Sequence, residues 1–195
     1  MTTNTKVSLA LLAAIAGALT LVIGDVLILG YETLSERYPL FAQDYADQLD
    51  ANAASQLVNA PTENLLVGTL CVALCVPLLL PGIWLVYQTL RDKKQWYANV
   101  VFFSLMAGAA LTPLLHSKML FLGETYKALL HTDPSAHPQL LAMAQNFRTV
   151  MYVGWSVALL FLTVGWVAYA ICIFRGKTYL PRWAGLTSPH LLSTC

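Results

Sequence analysis

Two ionisable side chains in apolar surroundings are where chemistry is most readily placed. Asp25 interrupts the run VSLALLAAIAGALTLVIGDVLILG at 7–30. His116 belongs to a polar cluster, Thr112-Pro113-Leu114-Leu115-His116-Ser117-Lys118, inside a second apolar stretch. A carboxylate beside an imidazole is a workable acid/base couple near neutral pH. The same pair can relay protons or hold the polar head of an amphiphile. An ionisable residue within a membrane span is costly, so its partner has to be named. For Asp25 the candidates are His116, Lys118 and Arg148. A purely structural role, in which a buried acid and its cation only fix helix register, is the competing reading.

Asp25 and His116 are thus the candidate catalytic residues. The candidate ligand-binding set is wider: Asp25, Glu63, Asn64, His116, Lys118, Asn146 and Arg148. A metal site and a cofactor are not expected. Cys71 and Cys75 lie one helical turn apart without a histidine or further cysteine at ligand spacing, Cys172 sits in another apolar run and Cys195 is terminal. Thiols in such surroundings pack as small hydrophobes. No glycine-rich phosphate loop, His-Glu-x-x-His motif or Gly-x-Ser-x-Gly elbow occurs. Glu32, Glu63 and Glu124 read as rim residues, and His131 and His137 as solvated.

The elements that must position these groups follow from composition. Of 195 residues, 57% are hydrophobic and 11% charged, against about 25% charged in a soluble domain. Apolar runs of about 20 residues match the hydrocarbon thickness of a bilayer. The chain therefore reads as a single all-α membrane domain over 1–195, with four spans at about 7–30, 65–90, 96–122 and 145–174. The first run is too long for a cleaved signal peptide and reads as a retained span. A net charge of +1 without a basic cluster gives no footprint for nucleic acid.

Between the first two spans, 31–62 is polar and acidic. In it Phe41, Tyr45, Leu49, Ala53 and Leu57 recur every four residues, the stripe of an amphipathic helix. Pro39 suits its start and Asn59-Ala60-Pro61 its stop. Such a segment is a lid over a site or a hairpin that only connects spans. Pro77 and Pro81-Gly82 interrupt the second span, Gly108-Ala109-Ala110 allows close helix approach in the third, and 123–138 reads as a loop.

Orientation follows from the cations. Lys6, Arg91, Lys93, Lys94, Arg175, Lys177 and Arg182 fall on one side of a four-span arrangement, and nearly all the acids on the other. Short cationic loops face the cytoplasm, so both termini are expected inside. Asp25 then lies about five residues, ~8 Å, from the outer end of its span. His116, Glu63, Asn64, Asn146 and Arg148 fall at a similar outer level, and the polar groups are expected to converge there.

Several segments resemble an uncharacterised, mainly bacterial family of small multi-pass membrane proteins known only as a domain of unknown function. The likeness is carried by Gly24-Asp25, Leu80-Pro81-Gly82-Ile83, Pro113-Leu114-Leu115-His116, the aromatic fourth span and Gly176-Lys177-Thr178-Tyr179-Leu180-Pro181-Arg182-Trp183. It covers most of the chain and implies no activity. Such relatives continue into further apolar helices, and by that measure this chain is short at its C-terminus.

The expectation is a cell-membrane protein that binds or transports a small amphiphilic or lipid-like ligand at an outward-facing polar pocket. Alternatives are a membrane-embedded acid/base enzyme, of isomerase or cyclase type, and a structural subunit. The expected partners are the lipid bilayer, such a ligand, and partner helices or further copies of the chain.

Overall fold

A computed structural model describes residues 3–187; Cys195 lies outside the described residues. Five α-helices follow in order: α1 Thr3–Leu29, α2 Ala51–Asn59, α3 Thr62–Gln88, α4 Trp96–His131 and α5 His137–Phe174. All but α2 are long and apolar enough to cross a membrane. At 1.5 Å per residue, the 27 residues of α1 span about 40 Å, more than the ~30 Å of hydrocarbon. Leu12, Leu19, Val26, Leu74 and Leu160 lie open on the outer faces of these helices, as lipid-facing side chains do. The protein is an all-α, multi-pass integral membrane protein.

The chain forms two compact units, each built from parts of the four long helices. One comprises 19–74 and 113–155. The described part of the other comprises 3–18, 75–112 and 156–187.

In the first unit α1 and α3 approach closely at two glycines. A β-carbon on Gly24 would fall 2.8 Å from the Gly68 carbonyl oxygen, and one on Gly68 would fall 2.8 Å from that of Gly24. Small residues let backbones meet where van der Waals packing drives helix association.

The segment between α1 and α3 departs from the single helix expected from Pro39. It forms a 3₁₀ turn at Ser35–Arg37, a π-type turn at Leu40–Asp44, a break, and then α2. The break has a local cause. Asp50 Oδ1 accepts from Asn52 N at 3.0 Å and Ala53 N at 3.1 Å, which makes Asp50 an N-cap and a new helix start. The apolar stripe still marks the buried face, for Phe41, Leu49 and Leu57 all enter the core.

Helix α4 runs to His131, through much of the stretch expected to be a loop. Leu122, Tyr126 and Leu129 form a buried stripe along it, and that burial outweighs the polar Glu124 and Lys127. Asp133 then caps the short turn Pro134–Ala136. Its carboxyl is held below the usual carboxylate range by the hydrogen bond it accepts from Ser135 N at 2.9 Å.

In the second unit Leu90, Ala98, Val101, Leu105, Tyr169, Cys172 and Ile173 form the core. Helix α5 ends at Phe174, and the chain turns away at Gly176, whose φ of 65° is left-handed. Gly176 N donates to Ile173 O and Lys177 N to Cys172 O, at 2.9 and 2.8 Å. This αL stop is one that glycine makes without steric cost.

Candidate functional site

Asp25 on α1 and His116 on α4 meet in the first unit. His116 Nε2 donates to Asp25 Oδ1 over 2.9 Å. The histidine side chain is 4% exposed and the aspartate 44%, so the imidazole is enclosed while the carboxylate keeps an open side. The Trp155 ring lies against the imidazole with centroids 5.4 Å apart. The sequence named three candidate partners for Asp25, and the geometry gives His116.

Lys118 and Arg148 are engaged elsewhere. The Lys118 ammonium lies 5.6 Å from the Phe121 ring centroid and 5.8 Å from that of Phe147, over two stacked rings. Asn64 Nδ2 donates to the Tyr31 hydroxyl. Glu63 and Asn146 are exposed. The expected single convergence therefore resolves into separate places within one unit.

Arg148 lines a cavity of about 80 Å³ with Leu29, Asp50, Gln56, Met119, Tyr126 and Met151 among its walls. Among the described residues no hydrogen bond or ion pair holds its guanidinium. Tyr126 is 3% exposed, and its hydroxyl has no hydrogen-bond partner among the described residues. Gln56 Nε2 donates to Leu29 O, which ties α2 to the C-terminal end of α1. Most of the wall is apolar, and its polar groups are Arg148, Tyr126, Tyr152, Gln56 and Asp50.

Two polar braces hold the surrounding segments. Thr62 Oγ1 donates to Glu124 Oε1 at 2.7 Å, and Lys127 Nζ reaches both of them. His137, expected to be solvated, is instead 5% exposed. Its Nε2 donates to Thr132 O at 3.2 Å, so Nδ1 is the acceptor for the Tyr45 hydroxyl at 2.8 Å. Burial against the Tyr45 ring overrides the polar, proline-bordered sequence around it. His131 is exposed.

Asp50, Gln56, Tyr126 and Tyr152 were not singled out from the sequence. The first two sit in the connecting segment. Tyr126 carried a signal in its i, i+4, i+7 spacing with Leu122 and Leu129. Among the described residues no three His, Cys, Asp or Glu side chains gather as metal ligands would, and Cys71, Cys75 and Cys172 form no disulfide there.

The sequence profile described as "Family of unknown function (DUF6796)" matches residues 1–195. No curated protein and no solved structure gives a match. The chain belongs to the DUF6796 family.

Proposed function

We propose that this family member binds a small amphiphilic or lipid-like ligand, with the polar head against Arg148 and Tyr126. The observation that carries this reading is an arginine without a carboxylate partner on an otherwise mostly apolar cavity. A half-buried guanidinium with its five donors uncommitted is costly unless something matches it, and an amphiphile matches both kinds of wall. Leu29, Met119, Leu122 and Met151 supply the apolar contact, and α2 acts as a cover. The acidic segment 31–62 lies on the extracytoplasmic side and both termini lie inside, which the distribution of lysine and arginine supports. Asp25 and His116 are positioning residues that fix α1 on α4. Glu63, Asn146 and Lys118 take no part in the head contact.

The test is native mass spectrometry of the purified protein with a single-chain lysophospholipid and a fatty acid of equal chain length. Met119→Trp, which fills the cavity, and Arg148→Gln should each weaken binding about tenfold or more while helical content is unchanged. Unchanged binding in both variants would sink the reading.

A second reading rests on the open side of the Asp25 carboxylate. A carboxylate bonded to a buried imidazole and still accessible is what an acid/base enzyme working on an apolar substrate requires. It predicts that Asp25→Asn leaves helical content and lysophospholipid binding intact and abolishes turnover.

A further inference from the structure

Opposite charges share the cavity without meeting. Arg148 comes from α5 and Asp50 from the start of α2, and both line the space. Among the described residues, ion pairs join His116 to Asp25 and Lys127 to Glu124, and none joins Arg148 to Asp50. Tyr126 lines the same cavity as both charges. Asp50 Oδ1 is occupied by the two cap bonds to Asn52 N and Ala53 N. Oδ2 has no partner among the described residues. The cavity thus offers a cationic donor, a phenol hydroxyl and an uncommitted anionic acceptor.

We infer that the cavity selects a zwitterionic head, a phosphate and an ammonium on one small group, over a purely anionic one. This rests on the amphiphile reading above. An anion drawn to Arg148 is repelled by Asp50, and a cation drawn to Asp50 is repelled by Arg148. A head carrying both charges satisfies both, which is selection by repulsion of the wrong ligand as well as attraction of the right one. The planar guanidinium suits two phosphate oxygens, and the Tyr126 hydroxyl can donate to a third. The volume, about 80 Å³, accommodates a phosphate-sized group. The ammonium then meets Asp50, which is exposed at the rim. Apolar Leu29, Met119 and Met151 on the same wall leave room for the first carbons of a chain and exclude a large sugar head.

The competing arrangement is a water-bridged brace between Asp50 and Arg148 that only holds α2 on α5. The experiment separates the two. Full-length protein is titrated in detergent with dioleoyl phosphatidylethanolamine and dioleoyl phosphatidylglycerol, and bound lipid is counted by native mass spectrometry. Water-soluble glycerophosphoethanolamine is the third probe. Asp50→Asn removes the charge and keeps the cap, since asparagine and aspartate cap comparably. The wild type should prefer the ethanolamine lipid about tenfold, Asp50→Asn should bring the ratio to about one, and Arg148→Gln should weaken both lipids about tenfold. Equal affinities in the wild type, or a preference that survives Asp50→Asn, would overturn the selection. The amphiphile reading would still stand if Arg148→Gln weakens both lipids. If neither Arg148→Gln nor Met119→Trp changes lipid binding, both fall together. Tight binding of glycerophosphoethanolamine alone, lost in Asp50→Asn, would uphold the zwitterionic head and move its source from the bilayer to water.

Discussion

The two units each hold a cavity of about 80 Å³ with tyrosine and cations in its wall, Tyr126 and Arg148 in one and Tyr97, Arg175 and Lys177 in the other, yet they differ in how those groups are held and how far they are buried. In the unit containing α5's C-terminal end, Lys177 Nζ lies 4.2 Å from the centroid of the Tyr97 ring. Around it the segment after α5 is stitched to the end of α3. Arg91 N donates to Lys177 O and Tyr179 N to Thr89 O, both at 2.9 Å. Arg91 Nε donates to Thr178 O at 2.7 Å, and the Thr89 and Tyr169 hydroxyls lie 2.7 Å apart. In the other unit the Arg148 guanidinium and the Tyr126 hydroxyl have no protein partner among the described residues. Cavity size is the same in both. Arg175 in the second cavity is also without a protein partner among the described residues, but it is exposed, whereas Arg148 is half-buried. What sets a binding site apart is polar capacity that the fold both leaves unused and withdraws from solvent.

That comparison can be broken, and the largest effect is expected where α1 and α3 of the Asp25 unit meet through Gly24 and Gly68. Gly68→Val places a side chain against the Gly24 carbonyl and the Ile28 side chain, and overpacking of this kind costs about 1–3 kcal/mol or more. Thermal unfolding in detergent should show a lowered midpoint and lipid binding should be lost with it. A midpoint equal to wild type would mean that α1 and α3 are not held at this contact.

His116→Leu should come next. It removes the partner of Asp25 and leaves a half-open carboxylate on an apolar helix, at a cost of about 1–3 kcal/mol. Asp25→Asn, which keeps an acceptor for the imidazole, should cost clearly less. Equal losses for the two variants would point away from a simple hydrogen-bonded pair.

In the other unit Tyr169→Phe removes one hydroxyl from a matched pair and should cost about 1 kcal/mol, with no effect on lipid binding. A change in binding there would erase the distinction between the units. The smallest change in stability belongs to Asp50→Asn, a few tenths of a kcal/mol, although its effect on lipid preference should be large. If Asp50→Asn destabilised the fold as much as Asp50→Ala, the aspartate charge would be structural after all.

Much of this architecture was readable from residue order. Apolar runs of membrane length are self-announcing, and α1 and α3 begin and end within a few residues of the expected limits, while α5 ends where expected but begins eight residues before 145, at His137. That Asp25 would need a partner was foreseeable, because a charged group in an apolar run demands one, but residue order left His116, Lys118 and Arg148 all open. Other features were not legible. The extension of α4 through Glu124 and Lys127 depends on what Leu122, Tyr126 and Leu129 bury against. The enclosure of His137 depends on Tyr45, 92 residues away. The division of the expected polar cluster into an acid–imidazole pair and a separate arginine cavity depends on helix rotation. Rotation is fixed by packing of particular side chains, and depth along the sequence carries no information about it. Depth grouped Lys118 and Arg148 with Asp25, whereas packing set Lys118 over Phe121 and Phe147.

The central claim is that the ligand's head sits against Arg148 and Tyr126 rather than in the other cavity. A phospholipid carrying a photoreactive group on its head, incorporated into bilayer nanodiscs with the intact protein, tests it directly. After irradiation and digestion, crosslinks should concentrate on peptides containing Asp50–Leu57, Met119–Tyr126 and Arg148–Tyr152, and should fall about tenfold in Arg148→Gln. Crosslinks concentrated on Trp96, Tyr97 and Arg175–Lys177, or spread evenly along the open face of α1 in both proteins, would contradict the account.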